Sequence, residues 1–199
     1  TFITETCCAG QPDLCGDIAR LLPEIEIKEV IMTGSFNVLF LCTHNSARSI
    51  IAEAILNKIG NGRFRAYSAG SDPVAEPNAE VLENLKRLDH DISNARSKSW
   101  DEFVGPDAPV MDFVIALCDT TEGQVCPEFG DRVVSASWPL PDPAMFTGTQ
   151  TERQVLLNQL YSMINRRLGI FVNLPFDSLD RLALTARLDE LGYSSPANA

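Results

Sequence analysis

A thiol and a guanidinium stand six positions apart in the stretch Val38-Leu-Phe-Leu-Cys-Thr-His-Asn-Ser-Ala-Arg-Ser49. An apolar run ends abruptly at Cys42, and Arg48 closes the polar stretch behind it. From Ser49 to Ile59 apolar residues recur at helical spacing, with Gly60 as a stop. The pattern predicts a strand, a tight loop and the start of a helix. Inward-facing loop amides beside a helix N-terminus make a cradle for a tetrahedral oxyanion. The same positive field favours Cys42 as a thiolate. Arg48 can grip two oxygens of such an anion with its planar fork, a contact lysine cannot reproduce, and the Ser49 hydroxyl can donate to the sulfur. A nucleophile at the floor of an anion pocket is equipment for displacement at a tetrahedral centre. The bland alternative is a buried structural cysteine that ends a strand.

Between the thiol and the guanidinium, Thr43, His44, Asn45, Ser46 and Ala47 supply the backbone of the cradle. Asn45 suits the holding of an unusual loop backbone, and Asn45 and Ser49 are also ordinary turn and N-cap residues. His44 reads either as a solvated imidazole or as a tuner of the sulfur's charge. Far along the chain Asp142 sits between Pro141 and Pro143. A carboxylic acid there can protonate an oxygen as it leaves a tetrahedral oxyanion; in a proline-fixed turn it can equally do no more than bond backbone amides. Cys118 ends a second apolar run, as Cys42 ends the first, so both thiols are candidates for one crevice. Cys126 follows across the polar segment 119–125.

The elements that must position these groups alternate. Strands are expected at 37–41, 65–69, 113–117 and 133–136, and helices at 49–59, 78–88, 149–172 and 179–191. Such alternation implies right-handed crossovers and a four-stranded parallel sheet with helices on both faces. Ligands of such α/β sheets sit at the carboxyl ends of the strands, where Cys42 and Cys118 both fall. Residues 1–34 read as an N-terminal extension, 35–192 as the α/β domain with an extra C-terminal helix, and 193–199 as a tail.

With 45% hydrophobic and 22% charged residues, the 199-residue chain has the composition of a soluble globular protein. A formal net charge of −11 argues against nucleic-acid binding, but not against a small oxyanion, for which the local pocket field decides. No apolar run approaches the ~20 residues of a membrane helix, and no signal-peptide pattern opens the sequence. Six cysteines in that context point to a reducing, cytoplasmic setting and to reactive thiols.

Cys42-x5-Arg48-Ser49 after a strand, with Asn45 inside the loop, resembles the low-molecular-weight protein tyrosine phosphatase fold. The particular loop Cys-Thr-His-Asn-Ser-Ala-Arg-Ser resembles the arsenate reductases that share it. The likeness runs from about Phe36 to about Leu191 and includes Tyr67-Ser-Ala-Gly70, Asp91-Ile-Ser-Asn94, Leu117-Cys-Asp119 and Trp138-Pro-Leu-Pro-Asp-Pro-Ala144. It implies that the residues from Thr43 to Ser49 bind the oxyanion and that Asp142 is the general acid. It also implies a thiol relay, in which Cys42 attacks arsenate, Cys118 attacks the Cys42 sulfur as arsenite leaves, and Cys126 then attacks Cys118. The implied partners are arsenate, with phosphate or sulfate as analogues, and thioredoxin or glutaredoxin with glutathione as reductant; no metal or organic cofactor is expected. A helical segment 118–126 would hold its two cysteine Cα atoms roughly 12 Å apart, against the 4.4–6.8 Å or so of a disulfide. The segment is therefore expected to bend during turnover.

Two departures qualify the resemblance. Tyrosine phosphatases of this fold follow Asp-Pro with two tyrosines, whereas Asp142-Pro143 is followed by Ala144, Met145 and Phe146. Some thioredoxin-coupled relatives hold potassium through positions matching Asn45, Glu53, Ser68 and an aspartate, and the last of these is Lys98 here. Activity independent of potassium is expected. Cys7, Cys8 and Cys15 could chelate arsenite or a soft metal, or be spare thiols on an N-terminal arm. Arsenate reduction is the leading reading. The alternatives are hydrolysis of phosphate monoesters through a cysteinyl-phosphate, and an oxyanion- or arsenite-binding module without turnover.

Overall fold

The computed structural model describes residues 35–118, 129–130, 132–176 and 178–193. The extension 1–34 with Cys7, Cys8 and Cys15, the segment 119–125, Cys126 and the tail beyond residue 193 lie outside the described residues. Four parallel strands, β1 (Phe36–Cys42), β2 (Phe64–Gly70), β3 (Phe113–Ala116) and β4 (Val134–Ser137), form one sheet in the order β2-β1-β3-β4. The α-helices are α1 (Arg48–Ile59), α2 (Ala79–Arg87), α3 (Gln150–Phe171) and α4 (Arg181–Tyr193), with one-turn helices at Trp100–Phe103 and Pro143–Met145. The fold is the expected low-molecular-weight phosphatase-like α/β architecture with a C-terminal helix.

The period-2 alternation of each strand sorts its side chains between two apolar layers. Val38, Phe40, Phe113, Ile115, Val134 and Ala136 pack against Ile51 and Ile55 of α1, Leu160 and Leu168 of α3, and Leu188 of α4. On the opposite face Leu39, Leu41, Ala69 and Val114 meet Phe103 of the one-turn helix and Met111. Five phenylalanines (Phe36, Phe64, Phe113, Phe171 and Phe176) close the amino end of the sheet, with ring centroids 5.2–5.7 Å apart. Polar chemistry is left to the opposite end, where β1 and β3 deliver Cys42 and Cys118.

Local sequence accounts for the helix starts. Asn78 caps α2 by accepting from the Val81 amide at 3.1 Å. Thr149 and Glu152 form a reciprocal capping box on α3. Helix α1 differs: its N-cap is Ala47, which has no side-chain acceptor, and its first turn carries no acidic residue. The first amides of α1 therefore lack a side-chain cap at the end that faces the loop after Cys42.

Candidate active site

The loop from Cys42 to Arg48 is shaped by what its carbonyls bond to. Those of Cys42, Thr43, His44 and Ser46 accept from the amides of Ser71, Asp72, Val74 and Asn78 at 2.9–3.3 Å. The Asn45 carbonyl accepts from the Ser97 hydroxyl at 2.8 Å, and that of Ala47 from the Ile51 amide. In a trans peptide the carbonyl and the following N–H point opposite ways. Tying these carbonyls to the segment 71–78, to Ser97 and to helix α1 turns the amides of residues 43–48 the other way, toward the loop's interior. Asn45 completes the ring with φ 45°, in the left-handed region that asparagine tolerates. Gly70, paired with Cys42 across the sheet, makes the close fit possible: a Cβ there would lie 2.5 Å from the Thr43 carbonyl oxygen and 2.9 Å from the Asn45 nitrogen.

The polarity around the sulfur can be deduced donor by donor. The Lys98 amide can only donate, and it lies 2.7 Å from Asn45 Oδ1, which fixes the orientation of the Asn45 side chain. Asn45 Nδ2 then donates to Ser49 Oγ at 2.8 Å and to Ser68 Oγ at 2.9 Å. With its oxygen accepting from Asn45, Ser49 has its own proton for Cys42 Sγ, 2.9 Å away. The Asn45 amide adds a second donor to the sulfur at 3.2 Å. By the same logic Ser68 donates to Glu53 Oε2, in a short contact, and Lys98 Nζ reaches that carboxylate oxygen at 3.1 Å. Asn45, Ser49 and Ser68 are fully buried. The ammonium of Lys98 thus sits against Glu53, beside the hydroxyl and amide that the resemblance associates with potassium.

Arg48 is buried, and in this structure its fork is turned onto protein acceptors. Nη2 donates to Asp142 Oδ2 at 2.7 Å, and Nη1 to the carbonyls of Leu140 at 3.2 Å and Leu117 at 3.4 Å. Asp142 Oδ1 accepts from the Ala144 amide at 2.9 Å, so the carboxylate is held at both oxygens. Cys42 and Cys118 are buried and not joined in a disulfide. Leu41 is level with Ala116 in the parallel ladder, so Cys118 lies one step beyond Cys42 on the neighbouring chain segment.

Cys42, Arg48, Ser49, Asn45, Asp142 and Cys118 are thereby gathered at one end of the sheet. His44 is half-buried and contributes its carbonyl to Val74, Ser46 contributes its carbonyl to Asn78, and Thr43 keeps a buried hydroxyl without a hydrogen-bond partner among the described residues. Sequence reasoning missed Ser97, the strap at 71–78 and the steric role of Gly70. Only Gly70 left a signal, as a glycine ending a strand. The Arg48–Asp142 ion pair left none.

A family model described as low molecular weight phosphotyrosine protein phosphatase matches residues 37–181. The arsenate reductase of Oceanobacillus iheyensis is 33% identical over 135 residues, which are 67% of this chain and 93% of that protein. That of Bacillus subtilis is 32% identical, with the same coverage. The solved thioredoxin-dependent arsenate reductase of Corynebacterium glutamicum gives a TM-score of 0.52 at 29% identity, over 69% of this chain and 62% of that one.

Proposed function

The chain belongs to the low molecular weight phosphotyrosine protein phosphatase family, and from that premise we propose that it reduces arsenate to arsenite through a thiol relay that starts at Cys42. The observation that carries this reading is the second buried thiol: Cys118 leaves β3 beside the end of β1, where Cys42 stands. A phosphatase needs one nucleophile and returns it with water, whereas a reductase needs a further thiol to take the oxidation. The names of the relatives from O. iheyensis and B. subtilis support the same choice. So does the absence of tyrosines after Asp142-Pro143, where Ala144, Met145 and Phe146 follow.

In the proposed reaction, arsenate enters the ring of amides and takes the Arg48 fork. The Cys42 thiolate, held by the Ser49 hydroxyl and the Asn45 amide, attacks arsenic. A sulfur–arsenic bond forms as one arsenic–oxygen bond breaks, and that oxygen leaves as water with a proton from Asp142. The Cys118 thiolate then attacks the Cys42 sulfur. A disulfide forms, the sulfur–arsenic bond breaks, and its electron pair stays on arsenic, which departs as arsenite. Arsenic(V) has gained two electrons and two thiols have lost them. Cys126 attacks Cys118 next and frees Cys42, and a dithiol protein of the thioredoxin class reduces the Cys118–Cys126 disulfide. The C. glutamicum neighbour's stated dependence supports that choice of donor.

The test is Cys118→Ser. With thioredoxin, thioredoxin reductase and NADPH supplied, arsenate-dependent NADPH consumption should vanish while Cys42 alkylation persists. A variant that made arsenite at the parent rate would refute the relay. A parent that makes no arsenite yet turns over an aryl phosphate, with that turnover lost in Cys42→Ser and intact in Cys118→Ser, would favour the phosphatase reading.

A further inference from the structure

The family match ends at residue 181, where α4 begins, yet α4 is built into the root of the loop that carries Asp142. Trp138, fully buried, ties its amide to the Ala116 carbonyl at 2.7 Å and its indole Nε1 to the Leu188 carbonyl of α4, also at 2.7 Å. One turn further along α4, Gly192 lies against the same residues. A Cβ there would collide with the Ser137 carbonyl oxygen and come within 2.8 Å of Trp138 Cδ1. The first obstacle is backbone and cannot yield, so any side chain at 192 pushes the helix away from the loop.

The contact is secured from behind by Arg167 of α3, whose Nη2 donates to the Gly192 carbonyl at 2.7 Å. Arg167 is 8% exposed, its Nη1 has no hydrogen-bond partner among the described residues, and burial pushes its proton affinity down. A buried guanidinium is a costly way to hold one carbonyl. The last turn of a helix, where the orphan carbonyls and the negative end of the dipole lie, is where a cation returns most.

Beyond Trp138 every second residue is proline: Pro139, Pro141 and Pro143. Each fixes its own φ and restricts the residue before it, so the loop behaves as a stiff lever with Trp138 at its root and Asp142 at its tip. Arg48 bonds the lever at Leu140 and at Asp142. We infer that Trp138, bonded to Leu188 and packed against Gly192, which Arg167 holds in place, is a positioning residue for the general acid, and that α4 is part of the machinery that aims Asp142. The inference rests on the proposed acid role of Asp142.

The test compares Trp138→Phe, which keeps a ring and removes the indole donor, with Asp142→Asn and the double variant. Trp138→Phe should lower single-turnover arsenite formation by about tenfold or more, part of the 10²–10⁴ that a general acid supplies. Its pH–rate profile should move toward that of Asp142→Asn. Protection of Cys42 from alkylation by inorganic phosphate should not weaken, and the double variant should be no slower than Asp142→Asn alone. Arg167→Met should repeat the pattern and Arg167→Lys, which keeps a donor for Gly192, should restore most of the rate; this pair decides the matter if Trp138→Phe does not fold. Multiplicative losses in the double variant, or phosphate binding that weakens in step with the rate, would overturn the inference. Running the same series on an aryl phosphate separates the outcomes: a parent inactive on arsenate alone counts against arsenate reduction, not against the positioning of the acid.

Discussion

Arg48 cannot serve Asp142 and a tetrahedral oxyanion with the same N–H groups, so Asp142→Asn should strengthen oxyanion binding while it slows the reaction. Arg48 Nη2 and Asp142 Oδ2 are 2.7 Å apart, with side chains 6% and 20% exposed. A hydrogen bond between charged partners in such a setting contributes about 1.5–3 kcal/mol, and partial exposure puts this one toward the lower end. Asparagine keeps a neutral acceptor for Arg48, and a neutral bond has roughly half the strength of a charged one. The substitution therefore removes about 1 kcal/mol of competition for the fork, or about fivefold in the dissociation constant. Relief of repulsion between the carboxylate and an incoming anion acts in the same direction. On the proposed acid role of Asp142, the same substitution should slow arsenite formation by roughly 10²–10⁴. The assay is protection of Cys42 from iodoacetamide by increasing phosphate, a non-reducible analogue, alongside single-turnover kinetics with arsenate. If Asp142→Asn bound phosphate no more tightly than the parent, the fork would not be shared between the two acceptors and the ion pair would play no part in the binding equilibrium.

The remaining expectations concern the sulfur, the buried ammonium and the helix layer. Ser49→Ala removes the hydroxyl 2.9 Å from Cys42 and should slow iodoacetamide alkylation at pH 7 by about tenfold, from a charge-assisted bond of about 1.5 kcal/mol; an unchanged rate would show that Ser49 does not donate to the anion. Lys98 Nζ, 3.1 Å from Glu53 Oε2, already supplies a cation at that place, so exchanging sodium for potassium at constant ionic strength should change kcat/KM by less than about twofold. Strong stimulation by potassium would contradict the assignment. His90 is buried between Tyr161, 2.8 Å from Nε2, and the Ala54 carbonyl, 3.2 Å from Nδ1. The carbonyl only accepts, so Nδ1 carries the proton and Nε2 accepts from the Tyr161 hydroxyl. Burial pushes the folded-state pKa of His90 down; the Ala54 bond opposes it, and the smaller effects of the Lys58 charge (downward) and Asp89 (upward) follow. The unfolded chain then binds the proton more readily, so His90 contributes stability that is present above about pH 6.5 and lost as the pH falls toward the lowered folded value, by at most about 1.4 kcal/mol per pH unit. Urea midpoints at pH 7.5 and 5.5 should differ less in His90→Gln than in the parent; equal differences would remove His90 from the account.

The parts of this molecule that were legible in its sequence are those whose causes are local. The β1 run, its stop at Cys42 and the helical spacing after Ser49 are neighbours in the chain, and Asn78 and Thr149 mark the starts of α2 and α3 because each caps a residue three positions away. What turns the loop amides inward is not local. The Asn45 carbonyl is held by Ser97, 52 positions away, its side chain is oriented by the Lys98 amide, 53 away, and Arg48 meets Asp142 across 94. Residue types at 42–49 state that an anion pocket is possible, but the partners that force the backbone into that shape are fixed only once β2 and the segment after it lie beside β1. Gly70 shows the difference: in the sequence it is a small residue at a strand end, and in the fold it is where the Thr43 carbonyl and the Asn45 amide leave no room for a Cβ. The chemistry is therefore written in one short segment, whereas the geometry that makes it work is spread over the strap at 71–78, the turn at 97–98 and the lever that ends at Asp142.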